Sequence, residues 1–198
     1  MFKVLADHVQ AIRATHPGAP IAVMIIGYDE VPEVLHQAKA YPDLADLLWC
    51  GFESYLDPVI PSDHNAAAFA EETHYSVAAF AGETENTAFT DDVKQRIESR
   101  TGDHVTMQGL TAYDQVILAG MMIKDAQYLP SDEYKQIVPE VAAFLHGATG
   151  SLILDKDRNR AIKQFMIWQV QKDESGKSQW IPVARAGENY AAFLPDTF

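Results

Sequence analysis

The feature that most constrains this chain is the run Ile21-Ala22-Val23-Met24-Ile25-Ile26, which has segments of helical period on both sides. A continuous apolar run rich in β-branched residues suits a strand buried on both faces. Before it, Phe2, Leu5, Val9 and Ile12 recur at helical spacing with Lys3, Asp7, Gln10 and Arg13 between them, and His16-Pro17-Gly18 ends that helix. After it, Gly27-Tyr28-Asp29-Glu30 turns the chain into a second helix over 31–40, with Val31, Val34, Leu35 and Ala38 on one face. Residues 44–51 then read as a second strand. Helix, strand, helix, strand predicts an α/β fold with a parallel sheet flanked by helices. Ligands of such sheets bind outside the carboxyl ends of the strands. Here those ends are Gly27-Tyr28-Asp29 and Gly51-Phe52-Glu53-Ser54.

The rest of the chain continues the pattern less regularly. Residues 57–65 contain two prolines and predict a loop. A short helix is expected over 66–73, a third strand over 75–80 and a polar loop over 81–90. Thr90-Asp91-Asp92 suits the cap of a helix running to about Arg100, because side-chain oxygens and negative charge satisfy the free amides of a first turn. Helices are expected over 111–126 and 132–146, with Pro139 kinking or splitting the second. From Ser151 the period changes to strands, at 151–154, 165–171 and 180–183.

Several functions are disfavoured by chemistry. The chain carries 28 acidic against 15 basic residues, a net charge of -13, which repels nucleic acid. The first strand-to-helix turn has Gly27 as its only glycine and places Asp29 and Glu30 where a phosphate would sit, which argues against a nucleotide cofactor. Asp155, Asp157 and Asn159 alternate as in a calcium loop, but Arg160 and Met166 stand where that loop needs glycine and glutamate, so a hairpin turn is expected. His64 and His74 flank Glu71 and Glu72 without the spacing of a zinc motif. No serine lies in a nucleophile elbow, and Cys50 has no partner in the chain for a disulfide. No cofactor, metal site or catalytic group is expected. Glu53 stands out, since a carboxylate at a strand's carboxyl end can hold an ammonium group. The alternative, an exposed loop acid, weighs equally on these residues alone.

Three stretches carry a resemblance to a known family. They are Ile21 to Tyr28 with Leu35-His36-Gln37-Ala38 and Leu48-Trp49-Cys50-Gly51-Phe52-Glu53; Thr111-Ala112-Tyr113-Asp114-Gln115-Val116; and Gly147-Ala148-Thr149-Gly150-Ser151-Leu152-Ile153-Leu154-Asp155, continuing to Arg160 and Ile167-Trp168-Gln169-Val170. In order and spacing they resemble the C-terminal half of type I periplasmic-binding-protein-like receptors, the branched-chain amino-acid (Leu/Ile/Val-type) substrate-binding proteins of ABC transporters. The resemblance implies a second-lobe α/β core over 1–107, helices of 108–147 that cross to the first lobe, and a returning β-hairpin with tail over 148–198. It implies an amino acid or related small polar metabolite as ligand, bound without chemistry. Gly27, Tyr28 and Ser54 would line the site, Glu53 would hold the ligand's ammonium group, and Gln108 would line the side-chain pocket. Many members carry a tyrosine at the position matched by Gly27, whereas here it stands one place later.

The family's first lobe has no counterpart in these residues, and the start, Met1 to His8, has no signal-peptide core because Asp7 and His8 interrupt it. The family is periplasmic and works with a membrane permease. A cytosolic ligand-sensing regulator of the same fold is the alternative, and an α/β enzyme is disfavoured. Without a first lobe, Val116, Ile117, Val138, Val141, Phe144 and Leu145 are expected to be exposed, which predicts a homodimer, or docking on a partner, through residues 111–146.

Overall fold

The structure, a computed structural model, describes residues 2–51, 56, 59–81, 87–125, 133–161, 164–187 and 190–194. The chain forms two compact units, one of Met1–Ala79 with Phe165–Phe198 and the other of Phe80–Gln164. This division falls at different points from the expected boundaries at 107 and 147.

In the first unit, helix α1 (Phe2–Thr15) buries Phe2, Ala6 and Val9, a stripe at helical spacing that faces the core. Gly18, at φ 79°, supplies the left-handed residue that turns the chain after it. Strand β1 (Ala22–Ile25) leads to α2 (Val31–Ala38), whose first turn accommodates Pro32 because no intrahelical N–H is needed there. A short 3-10 turn, Pro42–Leu44, occupies the start of the segment expected to be strand, and β2 is confined to Leu48–Gly51. Leu44 is drawn inward, fully buried, and its carbonyl accepts the Trp49 indole N–H at 2.8 Å. The Trp49 ring meets Phe69 edge to face at 5.1 Å.

Residues 59–72 are helical, not the expected loop as far as 65. Helix α3 (Val59–Ser62) is followed by α4 (His64–Glu72), and the Asp63 carboxylate between them accepts the Asn65 and Ala66 amides at 2.9 and 2.8 Å. Such a cap makes a helix start where composition suggests a turn. Its small buried residues Ala66, Ala67 and Ala70 let α4 pack closely on α2. Strand β3 (Ser76–Phe80) lies beside β2 in the sheet.

The second unit holds α5 (Thr87–Thr101), α6 (Met107–Asp125), α7 (Tyr134–Ala143) and the short hairpin β4 (His146–Gly147) and β5 (Gly150–Ser151) around Val93, Leu110 and Ala148. Helix α5 begins before Thr90, so Thr90 does not cap it; its hydroxyl donates instead to the Ala148 carbonyl at 2.7 Å. Helix α6 starts a turn earlier than expected, and α7 continues through Pro139 without breaking there. The expected strand at 151–154 reduces to β5 and an isolated bridge between Leu154 and Arg160.

The chain then returns through β6 (Gln164–Lys172), β7 (Ser178–Gly187) and β8 (Tyr190–Phe193). Strand β7 is longer than expected, and β8 was not legible at all. The sheet is mixed, in the order β1-β2-β3-β6-β7-β8. Strands β1 to β3 are parallel, and β7 and β8 antiparallel. Strands β6 and β7 close a hairpin through a turn in which the Asp173 carboxylate accepts the Ser175 and Lys177 amides at 2.9 and 3.0 Å.

The apolar run of β1 is not buried on both faces. Its side chains alternate in exposure, and Met24, Ile26 and Leu48 are 57, 78 and 60% exposed. Val23, Ile25 and Trp49 face the core with α1, α2 and α4. Met24 and Leu48, on the opposite face of these strands, are the exposed members.

Candidate ligand-binding edge

Strands β1 and β2 end level, because Ile25 pairs with Gly51 in register. The chain leaves β1 immediately beyond, at Gly27. The Val31 amide donates to the Tyr28 carbonyl at 3.1 Å and closes this exit as a tight turn. A Cβ on Gly27 would stand 3.0 Å from the Glu30 and Val31 side chains, tighter than ordinary contact. Tyr28 projects outward and is 68% exposed. On β2, a Cβ on Gly51 would overlap the hydroxyl of the buried Tyr75. Both glycines therefore have a packing reason, and both lie on one parallel edge.

Glu53 and Ser54 lie outside the described residues. Gln108 is exposed in the first turn of α6, in the second unit. Gly27 and Tyr28 thus share an edge with Gly51 in the first unit, while Gln108 belongs to a different unit.

Sequence reasoning missed a buried polar network in the second unit. Asp114, 2% exposed on α6, accepts the Ala148 amide at 2.6 Å, the Thr149 amide at 2.9 Å and the Thr149 hydroxyl at 2.6 Å. A Cβ on Gly147 would overlap the Asp114 carboxyl, so this glycine admits the acid. Arg160 completes the group, donating to the Thr149 hydroxyl at 2.7 Å and its carbonyl at 2.6 Å. Two stretches picked out by resemblance are therefore one physical unit. The available signal was a lone acid within the apolar helix segment 110–123, since such a group, once buried, needs donors.

A wide groove of about 530 Å³ opens on the helical side of the first unit, lined by Phe2, His36, Gln37, Lys39, Tyr41 and Asn65 among others. His36 Nδ1 lies 3.2 Å from both Asp63 oxygens, and its Nε2 is 3.2 Å from the Asn65 amide nitrogen. The Ala66 amide, and then the His36 ring, hold the Asp63 carboxyl below its ordinary value against partial desolvation. Gln37 donates to Glu33 at 2.6 Å. These side chains satisfy one another, and the groove includes none of the strand-edge residues. The first acid of the rejected calcium pattern is likewise engaged locally: the Asp155 carboxylate accepts the Asp157 and Asn159 amides, each at 2.9 Å. Among the described residues no cluster of potential metal ligands occurs.

No protein-family model and no curated protein sequence matches this chain. Its fold matches solved structures. A leucine-binding protein from Thermotoga maritima superposes with a TM-score of 0.62 at 15% identity, covering 100% of this chain and 50% of that one. An ABC transporter substrate-binding protein from Desulfitobacterium hafniense, solved also in complex with Leu, gives 0.61 at 16% identity, covering 91% and 48%. A solute-binding protein of an ABC transporter from R. palustris, in complex with benzoate, gives 0.57 at 14% identity, covering 96% and 48%. The chain has this periplasmic-binding-protein type I-like fold, with its closing hairpin, and spans about half the length of the structures it matches.

Proposed function

We propose that this chain is the C-terminal portion of a solute-binding receptor for an amino acid or related small polar metabolite, serving an ABC-type transport system. The observation that carries the proposal is the fold match across 91 to 100% of the chain with receptors whose described ligands are small carboxylates. The level parallel edge at Gly27 and Gly51 supports it, since it is where such sheets bind ligands. In this reading Gly27, Tyr28 and Ser54 line the site, Glu53 holds an ammonium group, and Gln108 contacts the ligand's side chain. Binding involves no bond-making and no cofactor. The receptor works outside the cytoplasm and hands its ligand to a membrane permease. Among the described residues no helix is long and apolar enough to cross a membrane.

The ammonium contact separates two ligand classes by charge. Calorimetry on the chain, comparing leucine and glutamine with the same acids lacking the amino group, is the test. The amino acids are expected to bind more tightly, and Glu53→Gln to remove the difference. Equal binding of both classes, or a preference that survives Glu53→Gln, contradicts the role of Glu53.

The second partner we propose is another copy of this chain, docking through residues 111–146. Val116, Ile123 and Phe144 are 70, 64 and 87% exposed and Ile117 is 38% exposed, which supports that reading. Val141 is buried and Val138 and Leu145 are partly buried, so the exposed face is narrower than the sequence suggests. A monodisperse monomer at micromolar concentration contradicts this part.

A further inference from the structure

We propose that Arg160 is a brace binding together the two segments through which the chain passes between its compact units. The chain leaves the first unit between Ala79 and Phe80 and returns to it between Gln164 and Phe165. These crossings are not independent, because the Ala81 amide donates to the Gln164 carbonyl at 2.9 Å. The Arg160 guanidinium lies 4.9 Å from the centre of the Phe80 ring, close enough for a cation–π contact. The same guanidinium donates from both terminal nitrogens to Thr149. Thr149 is itself fixed by the buried Asp114.

One planar cation therefore joins the outgoing segment at Phe80 to its own returning segment and, through Thr149, to a buried carboxylate on α6. Arginine is suited to this position. Its face stacks on an aromatic ring while its edge donates a fork of hydrogen bonds, and it keeps its charge at any working pH. A lysine can place charge near the ring but cannot donate the fork. The consequence is mechanical. With Phe80 and Gln164 tied together within the second unit, the outgoing and returning segments stay paired there and do not fray. This device does not depend on which ligand is bound, or on whether one is.

The test is amide hydrogen exchange on the full chain without ligand, comparing the wild type with Arg160→Met, Arg160→Lys and Phe80→Leu. Loss of a contact of this kind is expected to speed exchange of the Ala81 amide by about tenfold. The amides of β1 and β2 should be unchanged. Phe80→Leu, which leaves the bonds to Thr149 intact, should loosen Ala81 as well, and Arg160→Lys should fall between the wild type and Arg160→Met. Unchanged Ala81 exchange in Arg160→Met overturns the proposal, as does an equal rise across the whole sheet, which signals general destabilisation. If Arg160→Met does not fold, Phe80→Leu decides alone, and unchanged Ala81 exchange in it overturns the brace.

Discussion

Gly51 and Tyr75 occupy what is in effect one position. The hydroxyl of Tyr75 fills the space a β-carbon on residue 51 would need, so Gly51→Ala forces either the strand end or the ring to move. Overpacking of this kind costs about 1–3 kcal/mol, and urea unfolding should show it. Tyr75→Phe in the same chain removes the overlapping oxygen and should recover part of the loss. Asp114 is the opposite case, an acid that the fold surrounds with donors. Asp114→Asn puts an amide nitrogen where N–H and O–H groups already point, and should cost roughly 3 kcal/mol by urea unfolding. Asp63 adds a pH dependence. Its carboxyl is held below the ordinary 3.8 by the Ala66 amide first and by His36 after it. A lowered folded-state value means that the stabilisation is fully present above the unfolded value and is lost as the pH falls through the folded one. Asp63→Asn can still cap α4, so its deficit at pH 7 should be small. The gap to the wild type should close as unfolding is repeated at pH values falling through the folded-state value of Asp63.

At the scale of elements, the legible parts are those whose pattern is local. Helices α1 and α2 and strand β1 were readable because a single apolar period runs through each without interruption. Helix α3 and the start of α4 were not, because prolines and polar residues suggested a loop as far as 65, whereas the rest of α4 was expected; the Asp63 cap sets its true beginning. Strand β8 is a strand only because Tyr190 to Phe193 pair with β7, which no local pattern announces. The Asp114 network joins residues 34 and 35 positions apart, so spacing alone does not reveal it. Of the candidate site, the sheet-edge rule gave Gly27 and Tyr28, while Gln108 came from resemblance alone. Helix α6 has a further consequence at this scale. It carries an uncharged run from Gln115 to Ile123 in a chain of net charge -13, with Val116 and Ile123 exposed. Val116→Glu should weaken self-association in sedimentation velocity. It should shift unfolding by no more than about 0.5 kcal/mol, since the side chain has little contact to lose.

For the whole molecule, the parallel strands β1 to β3 and the closing strands β6 to β8 form one mixed sheet whose fold is shared with solute-binding receptors of twice this length. In the proposed reading the ligand is held between two lobes that close on it, and these residues supply one part of that contact surface. Weak binding is therefore expected, and the measurement must detect it and locate it. Titrating the isotope-labelled chain with leucine and with glutamine, while following backbone amide resonances, does both. The account predicts shifts at Gly27, Tyr28 and Gly51 that saturate with either amino acid and disappear in Glu53→Gln, with no comparable shifts around the His36 groove. Shifts confined to the groove, or an unmoved strand edge at saturating ligand, would contradict it.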